Sequence, residues 1–287
     1  MDTNNPNAVK KKSRFTSVSV WHFIRLGYRS ALFIIFAIIY IDYRVRLPEN
    51  YALMSGAALL RDLSQTAALR TTVLGIIWVV FMVEMFMRFF PSKLESPGSQ
   101  KQFARNYIKS GKTEINIPDN NATMLMALLW VCLNAPIGAL YMAGIVDAGI
   151  MVLLSCAYAV CDMICILFFC PFQTWFLKNK CCSSCRIYNW DYAMMFTPLF
   201  FVGSPYTWSL LAMSVALLLR WEITFYRYPE RFSEETNEYL KCAGCTEKLC
   251  SHKRQLHSLW KDVAALTKER KRKLRREEPE VAKQVKL

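Results

Sequence analysis

The residues best placed to do chemistry are cysteines. The chain has eleven in 287 residues, and seven of them fall in two short clusters and one flanking position. Near the C-terminus the order is Cys242-Ala-Gly-Cys245, then Cys250 and His252. A C-x-x-C turn presents two thiolates to one ion, and Gly244 permits the tight backbone path such a turn needs. Cys250 and His252 complete a tetrahedral set if the chain turns between them. The second cluster is Cys181-Cys182-x-x-Cys185, with Cys170 upstream. Together they read as one shared metal site or two separate ones. Zinc suits a mixed cysteine and histidine set and is the favoured ion; an iron–sulfur cluster, which usually takes four thiolates, is the alternative. Two other readings compete: palmitoylation of Cys181 and Cys182, and a redox-sensing thiol pair in the tail.

A second set of candidates lies inside apolar sequence. Asp162 interrupts a long hydrophobic block, where an unpaired charge is costly and therefore marks a functional position by default. Paired with Asn134 it reads as part of a proton or cation path, or else as one interhelical hydrogen bond. Asn189 and Asp191 follow the second cysteine cluster and read as supports for a metal site or as helix caps. Glu84 and Arg88, one turn apart, read as a local ion pair. Arg25 and Arg29 are expected to snorkel to the membrane interface.

The elements that must hold these residues are membrane spans. Hydrophobic residues make up 54% of the chain and come in blocks, which predicts an all-α, polytopic bundle. Six spans are expected, at about 27–41, 71–90, 122–145, 148–169, 188–202 and 206–225. They divide the chain into a polar, basic N-terminal segment (1–26), a transmembrane domain (27–226) and a tail (227–287). The polar and basic opening, with no small-residue cleavage site after the first block, suggests a retained signal anchor. Of 36 Lys and Arg, only Arg44, Arg46, Arg61 and Arg70 fall in outer segments if both termini are cytosolic. The positive-inside rule therefore predicts an N-in, C-in topology, with the plasma membrane as the expected location. In that arrangement the seven clustered cysteines all face the reducing side, where thiols and metal ligands are expected rather than disulfides. A short amphipathic helix on the outer surface is expected over 48–70.

After the cysteines, Leu256, Leu259, Trp260, Val263 and Leu266 recur at helical spacing, followed by Lys268, Arg270, Lys271, Arg272, Lys273, Arg275 and Arg276. This predicts an amphipathic basic helix lying on anionic lipid, or docking a membrane or cytosolic protein partner. Nucleic acid is a poor fit, because no recognition fold accompanies the basic run. No phosphate loop, nucleotide fingerprint or nucleophile elbow occurs, so the reading leans away from an enzyme. Three functions remain: a membrane scaffold or accessory protein whose zinc site joins the loop between spans four and five to the tail; a membrane redox protein with an iron–sulfur or thiol centre; and a transporter or channel using Asp162.

Overall fold

The computed structural model describes residues 16–49, 56–92, 97–117, 120–172 and 185–241. The protein is mostly helical (78%), with no strand among the described residues. Seven α-helices follow in order: α1 (Ser17–Glu49), α2 (Gly56–Met87), α3 (Pro97–Gln102), α4 (Asn120–Met142), α5 (Ala148–Leu167), α6 (Asp191–Met195) and α7 (Pro205–Arg227). Four are long and apolar enough to cross a bilayer, over Ser17–Val45, Asn121–Met142, Ala148–Leu167 and Pro205–Arg227, and Thr71–Met87 is a shorter apolar stretch of α2. These lengths suit a membrane-embedded helical protein, since a span needs about 20 apolar residues. Exposed Ile35, Ile38, Val79, Leu128, Val131, Leu219 and Ile223 give the bundle an apolar outer surface suited to lipid.

Local chemistry sets the helix ends. The Asp147 side chain accepts the Ile150 amide hydrogen and so caps α5. Ser204 and Thr207 form a reciprocal capping box ahead of α7, with Pro205 in its first turn. Pro136 sits inside α4. Two glycines mark close approach: a Cβ on Gly138 would stand 2.2 Å from the Phe201 ring, and one on Gly149 would stand 2.5 Å from the Tyr40 ring.

Three expectations need correction. The first span is longer than 27–41, because the helix continues toward the N-terminus through Arg25 and His22 to Ser17. Those two polar residues end the hydropathy window, yet both are buried by neighbouring helices. Residues 56–70 form the start of α2 rather than a separate surface helix. The fifth block, 188–202, is not a helix of span length. It is divided into a 3-10 turn (Arg186–Trp190), α6, and a second 3-10 turn (Thr197–Phe201). Pro198 lacks the amide hydrogen an α-helix needs, and the Thr197 hydroxyl donates back to the Ala193 carbonyl at 3.0 Å.

The core is aromatic and lies where this divided segment packs on α2 and α7. Phe81 meets Phe196 edge to face at 5.3 Å, and Phe103 meets Trp221 at 5.1 Å. Beyond α7, the first tail residues are tied to the segment between α2 and α4. Lys109 pairs with Asn237 across an isolated antiparallel bridge, the Ser110 amide donates to the Thr236 carbonyl at 3.0 Å, and the Glu238 amide donates to the Ile108 carbonyl at 2.8 Å. Asn237, fully buried, adds bonds from its Nδ2 to the carbonyls of Lys101 and Arg231.

Candidate functional site

The charged residues buried in the bundle converge near one end, where α1 begins and α2 and α5 finish. Arg29 is the hub. Its side chain is 1% exposed, and its two terminal nitrogens reach Glu84 Oε2 at 2.5 Å, the Ala159 carbonyl at 3.0 Å, Asp162 Oδ2 at 3.2 Å and the Tyr192 hydroxyl at 3.3 Å. Glu84 in turn accepts from the hydroxyls of Tyr28 and of Tyr192, and Arg25 Nε lies 4.0 Å from its Oε1. Arg88 pairs with Asp191, and its guanidinium sits 5.1 Å from the ring centroids of both Tyr188 and Tyr192. Three guanidinium groups thus face three carboxylates drawn from α1, α2, α5 and α6. Charges this deep are tolerable because they are paired and share hydrogen bonds.

A second ion cluster anchors the divided segment to α7. Arg186 Nε donates to Glu222 Oε1 at 3.0 Å, the Trp190 indole donates to the same oxygen at 2.6 Å, and the Arg186 guanidinium stacks 4.2 Å from the Phe225 ring centroid. Arg220 donates to the Phe89 carbonyl. This cluster ties secondary structure together.

Two cavities flank the Arg29 hub. One of about 310 Å³ is walled by α4, the second half of α5 and the start of the divided segment, and includes Trp130, Tyr158, Asp162, Phe172, Tyr188 and Asp191. The other, about 530 Å³, uses the end of α1 and the first turns of α5 and α7, and includes Tyr40, Trp78, Phe81, Asp147, Ser155 and Thr207. By chain direction they occupy opposite ends of the bundle. Between them stand Arg29, Phe81, Tyr192 and Phe196, with the Arg29 guanidinium 5.5 Å from the Phe81 ring centroid. The Ser155 hydroxyl, 3% exposed at the wall of the larger cavity, has no hydrogen-bond partner among the described residues.

Several expected partners change. Asp162 is about a turn and a half from the end of α5 rather than at mid-span, and it pairs with Arg29. Asn134 instead accepts from the Tyr158 hydroxyl at 3.2 Å and donates to the Trp130 carbonyl. Arg25 and Arg29 turn inward rather than snorkel. Glu84 and Arg88 each take a long-range partner, Arg29 and Asp191. Asn189 Nδ2 donates to Gln102 Oε1 at 2.8 Å, and Asp191 Oδ1 accepts its neighbour's amide hydrogen, so these two act as ties and caps. The residues missed were Arg29 and Tyr192. The signal for Arg29 was available: His22, Arg25 and Arg29 recur along one apolar helix at three- and four-residue steps.

Cys170 and Cys185 line the smaller cavity together with Cys161 and Cys165. No three of the described His, Cys, Asp and Glu residues gather as metal ligands. Cys181, Cys182, Cys242, Cys245, Cys250 and His252 lie outside the described residues, as does the basic run Lys268, Arg270, Lys271, Arg272, Lys273, Arg275 and Arg276. Comparison of the chain with protein-family models, with curated proteins and with solved structures finds no match.

Proposed function

We propose that this chain is an integral membrane carrier in which Asp162 is the cation-exchange point. One observation carries the reading: an intramembrane carboxylate on a cavity wall shares its arginine with a second carboxylate, between two cavities at opposite ends of the bundle. Arg29 serves both Glu84 and Asp162, so a cation arriving at Asp162 has a carboxylate that Arg29 neutralises only in part. Discontinuous helices beside such a site, here residues 186–201, are a recurring feature of carriers, because short pieces re-aim more easily than one continuous span. The scaffold and redox readings rest mostly on cysteines outside the described residues, and neither a family match nor a metal-ligand cluster among the described residues supports them.

Purified full-length protein in liposomes, with a pH-sensitive dye inside and an imposed membrane potential, tests the proposal. The expected result is proton movement faster than in protein-free vesicles, and its loss in Asp162→Asn. Movement equal to that of empty vesicles, or an undiminished rate in Asp162→Asn, overturns it.

A further inference from the structure

We propose that the cavity beside Asp162 takes an organic ammonium cation, which names the substrate class of the proposed carrier and rests on the same reading of Asp162. The carboxylate is half used. Its Oδ2 faces Arg29, whereas its Oδ1 has no hydrogen-bond partner among the described residues, and the side chain is 17% exposed at the cavity wall. An unfilled carboxylate oxygen in an apolar chamber attracts a positive group.

The rest of the wall selects the kind of cation. Trp130, Tyr158, Phe172 and Tyr188 all line the chamber. The Trp130 and Tyr158 ring centroids are 4.8 Å apart, and Trp130 and Phe172 are 6.3 Å apart. Aromatic faces grouped in this way hold alkylammonium groups by cation–π attraction, the basis of choline and methyl-lysine cages. Two of the rings are fixed by hydrogen bonds at their polar edges, the Trp130 indole to Thr197 Oγ1 at 3.0 Å and the Tyr158 hydroxyl to Asn134 Oδ1. That fixation lowers the cost of ordering the site around a ligand.

Other classes fit worse. No Lys, Arg or His is among the described lining residues, which disfavours an anion. A hard metal ion needs several oxygens, but Asp191 already gives one oxygen to Arg88 and the other to the Tyr192 amide. The remaining lining, Ile166, Ile187, Met194 and Met195 with the four thiols, is apolar and suits hydrocarbon substituents. At about 310 Å³ the chamber admits an ammonium head with one short apolar or aromatic arm.

Saturation binding of radiolabelled benzyltrimethylammonium to the full-length protein in nanodiscs tests this, with neopentylbenzene, its uncharged carbon isostere, as competitor. One site per chain is expected, with affinity weakened about tenfold or more in Asp162→Asn, severalfold in Trp130→Leu and less in Trp130→Phe, which keeps an aromatic face but loses the indole bond to Thr197. Absence of saturable binding, wild-type affinity in a monodisperse Asp162→Asn protein, or equal displacement by the neutral isostere overturns it. Binding without Asp162-dependent proton movement would sustain this inference and remove the carrier reading; proton movement without binding would do the reverse.

Discussion

Replacing Arg29 by methionine removes a side chain that touches both Glu84 and Asp162, and its cost follows from the contacts it leaves behind. The guanidinium makes four polar contacts in a site where its own side chain is 1% exposed, so water cannot take its place without opening the bundle. Breaking a buried ion pair from one side costs about 3–5 kcal/mol, mostly the penalty of the stranded charge. For a protein of this size that corresponds to a fall in melting temperature of about 6–20 °C. Glu84 still has the Tyr28 and Tyr192 hydroxyls and the nearby Arg25, which places the loss toward the lower end. Neutralising one stranded carboxylate as well, in Arg29→Met with Asp162→Asn, should recover most of the loss, because Arg25 and Arg88 then balance Glu84 and Asp191. Arg29→Lys should fall between, since an ammonium cannot span the same fork of acceptors. Thermal unfolding of the purified variants in one detergent measures the series. A melting temperature for Arg29→Met within about 2 °C of wild type would refute the buried network and return Arg29 to the lipid interface.

Two further outcomes follow from local geometry. Gly138→Ala places a methyl group against the Phe201 ring and should cost about 1–3 kcal/mol, as overpacking does; Phe201→Ala in the same chain should relieve it, and thermal unfolding of the single and double variants decides. The link between residues 108–112 and the tail should weaken in acid. The hydrogen bond and charge of Lys112 hold the Glu235 carboxyl below its ordinary value of 4.5. Because the folded value is the lower one, the pairing is fully present above 4.5 and is lost as pH falls through the lowered value. Amide exchange at Ser110 and Glu238, normalised for intrinsic rates, should quicken over that window, and Lys112→Ala should abolish the change.

Hydropathy made most of the helices legible because lipid forces backbone groups to pair within a segment, so long apolar blocks have few alternatives to a helix. It failed in two places for related reasons. In α1, His22 and Arg25 lowered the local hydropathy and shortened the expected span, yet both are buried in the bundle, Arg25 beside Glu84 of α2. In the fifth block the composition was apolar enough for a span, but Thr197 and Pro198 divide it and side-chain bonds hold the pieces. The candidate site was half legible. Asp162 stood out by type and setting, whereas its partner depended on how each helix is rotated about its axis, which composition along the chain does not encode. Asn134 and Arg29 were both within range, and the rotation of α4 gives Asn134 to Tyr158.

The three carboxylates of the network differ in how fully their oxygens are used, and that difference separates holding the fold from serving a ligand. Glu84 accepts from two tyrosine hydroxyls as well as Arg29, and Asp191 divides its oxygens between Arg88 and a backbone amide. Either one, made neutral, leaves a donor buried without an acceptor, at about 1–3 kcal/mol. Asp162 holds Arg29 through one oxygen only, and Arg29 keeps Glu84 and the Ala159 carbonyl if that bond is lost. Asp162→Asn should therefore melt within about 1 kcal/mol of wild type while losing proton movement and ammonium binding, whereas Glu84→Gln should lose stability first. An Asp162→Asn protein destabilised as much as Glu84→Gln would make Asp162 a third structural tie, and the cavity beside it no more than a packing gap.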